Sequence, residues 1–479
     1  MNLIVVGLSF AAFLIAFTLI GVMSSREKQE TSEDYLVASR SVNPWLTALS
    51  AVATANSGYM FVGLIGYAWL SGIEAMWVTF GWIAGDLVTW FWVHKIVRER
   101  SERLNTASVP ALLATENDGT NNRLISVASA FLTLFFLGGY AAAQLKAGSV
   151  TLNAVFDWPI ELGAVLGVVV VVVYCFSGGI RASIWTDAAQ SSVMIVAMAI
   201  LLGVCVGEVG GFSMLMQRLE AIDPDLVSYA PKNLLFPLAV YVLGFVGAGI
   251  GTVGQPHILI RFMAIESTKS LDKARILYFI WFTLFSAAAL GVGLYARVLV
   301  PDLTAGLEGA AITMAAESAL PALAIKMLPS ALIGVMLAGI FSATMSTADS
   351  QILSCSAAIT QDAFPQFKSS YKASKIATIS VALLALVIAL TASQGVFAMV
   401  LLAWAALGAS LGPILVIRLA NLPIPGPLGL VMMASGLATV VFWGNSAYGD
   451  SLYKIVPGMA VPSIIYAVVY FAELRNKEP

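Results

Sequence analysis

Ten residues, Phe341-Ser342-Ala343-Thr344-Met345-Ser346-Thr347-Ala348-Asp349-Ser350, carry five hydroxyls and one carboxylate, and they follow an apolar run from Ala331 to Ile340. At membrane depth a charged side chain costs at least ~2.5–3.5 kcal/mol on insertion scales, so it faces a cavity or a partner and not lipid. Small side chains with closely spaced oxygens suit a desolvated hard cation. Sodium wants several oxygens and no soft ligands, by the hardness argument that governs calcium and magnesium. Ser346 and Thr347 supply adjacent hydroxyls, and the Ala343 carbonyl lies three residues back on the same helical side. Carbonyls at Ala53 and Asn56, also three apart, complete a set from a second segment. For each hydroxyl the competing reading is a bond to its own i−4 carbonyl.

Asp187 opens a later apolar run, and two roles stand open for it. It is a helix N-terminal acid, or it forms a second cation site with Asp349 and Ser350 as partners. Tyr59, Tyr140, Gln144, Thr252 and Trp404 mix rings with hydrogen-bonding groups, as small-solute pockets do. His257, after Gly254-Gln255-Pro256, is either a packed, hydrogen-bonded residue or a proton carrier. Asp86 and Lys146 are charges in otherwise apolar runs. They pair with one another, or Lys146 snorkels outward. Cys175, Cys205 and Cys355 lack metal-ligand spacing, and no nucleophile/base constellation is present, so enzymatic chemistry is not expected.

These residues need a membrane to position them. Of 479 residues, 59% are hydrophobic and 11% charged, against about 45–50% and ~25% in soluble domains. A net charge of −2 argues against nucleic acid as a partner and leaves lipid and a small solute. A span needs roughly 20 apolar residues, and hydropathy predicts an all-α polytopic protein of about thirteen: 3–23, 43–71, 75–96, 123–151, 160–178, 183–209, 233–260, 275–299, 319–360 (broken near its end), 374–392, 396–418, 425–445 and 456–473. Alternate loops carry the bases, from Arg26, Lys28 and Arg40 to a tail with Arg475 and Lys477, whereas the opposite loops hold mainly acids such as Glu308 and Asp450. Cytoplasmic loops are enriched in Lys and Arg, which puts the N-terminus outside and the C-terminus in the cytoplasm.

Spans two to six (43–209) and seven to eleven (233–418) are five helices each and enter with opposite orientation. They flank an external loop at 210–232, with an extra helix and loop at 1–42 before them and two helices at 419–479 after. Asn56-Ser57-Gly58 interrupts span two, and Gly244, Gly247, Gly249, Gly251, Gly254 and Pro256 interrupt span seven. Paired interruptions at corresponding positions point to a transporter's binding site, since unwound backbone at that depth lines a cavity or is buried in protein. The plainer reading is that these glycines let helices pack closely.

Several segments together carry a family resemblance: Ala48-Leu49-Ser50-Ala51 with Ser57-Gly58; Ser177-Gly178-Gly179-Ile180-Arg181-Ala182 with Thr186-Asp187 and Gln190; Gly254 to Leu259 with Arg261-Phe262-Met263-Ala264; Met345-Ser346-Thr347; Ala403-Trp404-Ala405; and Leu411-Gly412-Pro413. The chain resembles the sodium/solute symporter family over nearly its whole length, and most closely its bacterial sodium/proline and sodium/pantothenate branch. The resemblance implies an inverted-repeat fold with alternating access in the inner membrane, and sodium as coupling ion. That ion would sit between spans two and nine at Ala53, Asn56, Ala343, Ser346 and Thr347. Some members hold a second sodium at the acid matching Asp187. The solute, an amino acid such as proline or a carboxylate, would lie beside Ser57, Gly58, Tyr59, Tyr140 and span seven with Gln255. The chain departs from the proline branch at Ala55, where that branch has an acid, and at Ala248 and Thr252, where it has aromatic residues. A solute sensor without transport and a proton-coupled carrier are the alternatives.

Overall fold

The computed structural model describes residues 1–392 and 395–475; of the basic residues used for orientation, Lys477 lies outside the described residues. The architecture is all-helical, and Val42 with Ile265 and Thr115 with Asn121 are isolated bridges. Eleven helices are long and apolar enough to cross a membrane, or twelve if the bent pair Leu238–Gly254 and Pro256–Ala264 is one span. The expected thirteen is therefore not reproduced. One of the eleven, Ile160–Val209, has 50 residues and a length of ~75 Å at 1.5 Å per residue. It consists of two helices meeting at Gly179 (φ 57°, ψ −139°), where a Cβ would fall 2.3 Å from the Tyr35 carbonyl oxygen. Asp187 thus lies inside the second of these helices and is not its cap.

The ninth expected span also divides differently. Ala319–Met327 is a separate short helix that stops at Leu328 ahead of Pro329. Ser330–Ala357 then runs unbroken into a π-turn at Ala358–Ala363. Every residue from Met336 to Ala357 is buried. A helix covered on all sides is a core helix, and this one is surrounded by Leu3–Ser24, Gly138–Phe156 and Ile160–Val209.

Two helices are broken. Asn43 caps the first and Pro44 follows at its opening position; the helix Pro44–Ala55 then ends at Asn56 (φ −97°, ψ 65°). The Asn56 side-chain amide donates to the Val52 carbonyl at 2.8 Å, satisfying an acceptor at the helix end. Past the break the Tyr59 N–H donates to Ser57 Oγ at 3.1 Å and the Gly58 N–H to Gln144 Oε1 at 2.8 Å. A π-turn, Tyr59–Gly63, and a helix, Leu64–Ser71, complete the span. The second broken helix runs Leu238–Ile250, tightens through Gly251–Gly254, and restarts at Pro256–Ala264 after a 57° bend. A Cβ at Gly254 would sit 2.6 Å from the Gly408 Cα, so glycine here permits contact with helix Val396–Leu419.

The basic residues of one rim are not loose charges. Arg40 donates to the carbonyls of Ser101, Thr106 and Met263 at 2.8–3.1 Å, and Arg98 to that of Ile265 at 2.7 Å. Arg418 donates to the carbonyls of Leu113 and Ile424 at 3.1 and 3.2 Å, and Arg123 to those of Asp362 and Ala363. Each guanidinium ties together segments distant in sequence.

Candidate functional site

The break in the first broken helix faces the serine/threonine turn of the core helix. Ser346 Oγ lies 3.2 Å from both the Ala53 and the Ala343 carbonyl oxygens. Thr347 Oγ1 lies 3.0 Å from the Thr54 carbonyl and 3.1 Å from that of Ala343. Two hydroxyl protons thus serve three carbonyls, all fully buried, which leaves oxygen lone pairs in excess. That donor set is the one a hard monovalent cation requires, and no group of three or more His, Cys, Asp or Glu that could hold another metal occurs among the described residues. Four of the five expected residues come together here. Asn56 stands beside them at the break, with its Oδ1 lacking a protein partner. Thr54 was missed by the sequence reading; an unwound helix end exposes consecutive carbonyls, so its neighbour Ala53 was the available signal.

Asp187, Asp349 and Ser350 also converge, but on a cation the chain supplies itself. Arg261, expected at the membrane boundary, is fully buried. Its Nη2 donates to Ser183 Oγ at 2.8 Å, to Asp187 Oδ2 at 3.2 Å and to Ser350 Oγ, and it lies 3.7 Å from Asp349 Oδ1. Ser50 Oγ donates to Asp187 at 2.7 Å, and Tyr174 OH donates to Asp349 at 2.8 Å. Thr54 Oγ1, 3.1 Å from Ser350 Oγ, links this cluster to the first oxygen set. Two carboxylates and one guanidinium leave a net charge of −1, and Asp187 Oδ1 has no partner.

The expected solute residues line the other side of the break. Ser57 Oγ and Tyr140 OH are 3.2 Å apart, Gln144 holds the Gly58 N–H, and Gln255 Nε2 donates to the Trp404 carbonyl at 3.0 Å. Trp404 Nε1 donates to the Ala248 carbonyl at 2.9 Å. Rings close the space: Tyr59 packs on Trp82 at 5.5 Å and stacks on Phe397 at 5.4 Å, and Trp82 meets Trp404 at 4.9 Å. Tyr59 OH, Gln144 Nε2, Gln255 Oε1 and both ring nitrogens of His257 are buried without protein partners. Each such group costs about 1–3 kcal/mol when left unpaired, and they are concentrated around one break, where a polar ligand could satisfy them. His257 packs between Tyr140 and Trp404, at 5.6 and 6.5 Å, without the ring hydrogen bonds expected of it. Trp82 and Phe397 escaped the sequence reading, since aromatic residues in spans more often pack or anchor.

A cavity of about 20 Å³ beside Asn56, Tyr59, Trp82 and Ser286 is separated by the Tyr59–Phe397 stack from an open vestibule of about 650 Å³. Glu317, Lys454 and Asn445 line that vestibule, and Glu317 accepts the Phe397 N–H at 3.0 Å. Asp86 and Lys146 are held by other partners than one another. Asp86 accepts from Tyr278 OH at 2.7 Å and Thr89 Oγ1 at 3.2 Å, and Lys146 donates to the Ala392 carbonyl at 2.9 Å.

Residues 35–420 match the Sodium:solute symporter family. The chain is 32% identical over 480 residues to the sodium/proline symporter of Escherichia coli (strain K12), covering 98% of this chain and 93% of that protein. It is 28% identical over 458 residues to the high-affinity proline transporter PutP of Bacillus subtilis (strain 168), covering 93% of each. Among solved structures, a Na+-coupled sialic acid symporter in a substrate-bound, outward-open state superposes with a TM-score of 0.78 at 20% identity over 96% of each chain. MhsT in complex with L-phenylalanine superposes with a TM-score of 0.55 at 15% identity, covering 89% of this chain and 97% of that one. These two speak for the fold. Broken helices, an alkali-type oxygen set and a family match across most of the sequence lead to one conclusion: the chain belongs to the sodium:solute symporter family and carries a small solute together with sodium.

Proposed function

We propose that the coupling sodium binds where the first broken helix meets the core helix, held by Ala53, Asn56, Ala343, Ser346 and Thr347, with Thr54 added. The observation that carries this reading is the convergence of the Ser346 and Thr347 hydroxyls on carbonyls from two helices. The solute binds on the far side of the same break, against Ser57, Gly58, Tyr59, Tyr140, Gln144, Thr252, Gln255 and Trp404. One short stretch, Ala53 to Tyr59, then serves both ligands, so each stabilises the backbone arrangement the other needs, and coupling follows. The relatives' names support an amino acid as solute. The small side chains at Ala248 and Thr252 make a roomier wall than rings would. Arg261 standing between Asp187 and Asp349 supports a single sodium per cycle, with the guanidinium in place of a second ion.

One charge moved through 100 mV contributes ~2.3 kcal/mol and a tenfold sodium gradient ~1.4 kcal/mol. Together they sustain roughly 500-fold accumulation. The two halves, 43–209 and 233–418, would alternate around the site, with the basic rim in the cytoplasm. Uptake into vesicles tests the ion site: S346A/T347A should raise the half-saturating sodium concentration about tenfold or more, as loss of charge-assisted contacts predicts. An unchanged sodium requirement would refute the site.

A further inference from the structure

Asp86 is the buried acid that the symport site as drawn leaves without a purpose. It is 2% exposed and makes no ion pair among the described residues. Its partners are neutral hydroxyls: Tyr278 OH at 2.7 Å, Thr89 Oγ1 at 3.2 Å, and Thr252 beside them. A membrane-buried carboxylate with only neutral neighbours is expensive, and either a proton or a cation from outside the protein offsets that.

Its position says where that partner comes from. Helix Met76–Arg103 crosses the second broken helix at a glycine contact: a Cβ at Gly249 would fall 2.6 Å from the Asp86 N, and one at Gly85 would fall 2.0 Å from the Val246 carbonyl oxygen. Asp86 is thereby pressed against the tightened Gly251–Gly254 turn that carries Thr252. One helical turn away Trp82 forms the pocket wall with Tyr59 and Trp404. Phe282, one turn from Tyr278, lines the same small cavity as Trp82. That cavity also receives the unpartnered Ser286 hydroxyl and lies against the unpartnered Tyr59 hydroxyl. Asp86 therefore sits one helical turn from the cavity that Trp82 and Phe282 line.

The surroundings discriminate between occupants. Sodium would take the carboxylate together with the hydroxyls of Tyr278, Thr89 and Thr252. An organic cation would take the carboxylate together with the Trp82 and Tyr59 rings one turn above, through charge and cation–π attraction. The rings of the adjoining cavity favour the organic cation. We propose that Asp86 selects the charge of the solute, accepting its ammonium or protonated amine. This rests on the pocket assignment above. It makes amine-bearing solutes, amino acids included, the transported class and excludes plain carboxylates.

The test is thermal stabilisation of the purified transporter in sodium by the L-amino acids, their α-hydroxy acid counterparts and their deaminated acids. Amine-bearing members should stabilise the wild type and the others should not. D86N should lose about 10- to 100-fold in affinity for them, as removal of a charged hydrogen-bond partner predicts, and D86E should recover part of it. The sodium dependence of stability without solute should stay unchanged in D86N, which also reports that the variant is folded. Should D86N not fold, the wild-type panel decides alone: preference for deaminated acids overturns the proposal. Unaltered solute affinity in D86N overturns it, and so does a raised sodium requirement with unaltered solute preference, which would make Asp86 an ion ligand. Failure of the pocket assignment looks different: no compound on the panel would stabilise the wild type in sodium beyond its effect in potassium.

Discussion

Arg261 and Asn56 show how single side chains set the terms of this site. Asn56 ends a helix and then donates its own amide to the Val52 carbonyl, which frees the backbone beyond to turn toward the proposed ion and solute sites. Arg261 neutralises one of two facing carboxylates from inside the protein. Removing one partner from such a buried group costs about 3–5 kcal/mol. R261Q should therefore be strongly destabilised in potassium, and part of the loss should return in sodium as the ion fills the vacated position. R261Q/D349N should be milder than R261Q alone, because the surplus negative charge goes too. Melting curves of the three proteins in each salt check this; equal destabilisation in both salts would show that no ion enters. The Ser346–Thr347 pair was legible because five hydroxyls and a carboxylate crowd ten residues of an apolar stretch, although the bond of Thr347 to its own i−4 carbonyl at Ala343 is the competing use and is also made. Arg261 was not, since a base five residues past a proline reads as a loop charge, and only the 57° bend carries it inward. The Asp86–Lys146 pairing failed for a related reason: neighbouring helices say nothing about which faces meet.

At the scale of elements, glycines decide where backbones touch. Both interruptions were legible from Asn-Ser-Gly and from Gly251 and Gly254 ahead of Pro256. Gly244, Gly247 and Gly249, however, expected to interrupt the span, lie in regular helix and serve close packing instead. The boundaries were less so. The ninth span was expected to break near its end, but Pro329 starts a fresh helix instead, and the serine/threonine turn lies on uninterrupted α-helix. The rigid partner and the yielding one are thereby distinguished: the core helix presents fixed hydroxyls to a helix that has come apart. Gly249 is required where two backbones cross, its Cβ position being 2.2 Å from the Trp82 carbonyl oxygen, whereas Gly203 faces open space. G249A should lower stability by about 1–3 kcal/mol, the usual cost of overpacking, and lower solute affinity with it. G203A should leave both near wild type. Thermal unfolding with and without sodium measures the difference, and an unperturbed G249A would show that the crossing is slack.

The whole molecule has two unlike ends. One rim is acidic and holds the open vestibule at Glu317, Asn445 and Lys454; the other is drawn shut by arginines. Composition made the membrane setting legible, and the lipid-facing belt is visible in exposed Leu8, Ile15, Phe131, Phe135, Val468 and Phe471. The loop charges support the proposed direction of insertion, with the basic rim in the cytoplasm. Single cysteines at Asp450 and Lys372, in a background without native cysteines, should report it: D450C should react with an impermeant maleimide in intact cells, and K372C only after permeabilisation. The reverse pattern would invert the orientation.

The guanidinium ties of Arg40, Arg98, Arg123 and Arg418 have a kinetic corollary. Each joins segments that would have to part for that rim to open, and the carbonyls that Arg98 and Arg418 hold are buried. On the proposed orientation, these ties would resist opening of the cytoplasmic mouth in the empty carrier. Slippage of the driving ion without cargo becomes rare, and vesicles given a sodium gradient but no solute should dissipate it slowly.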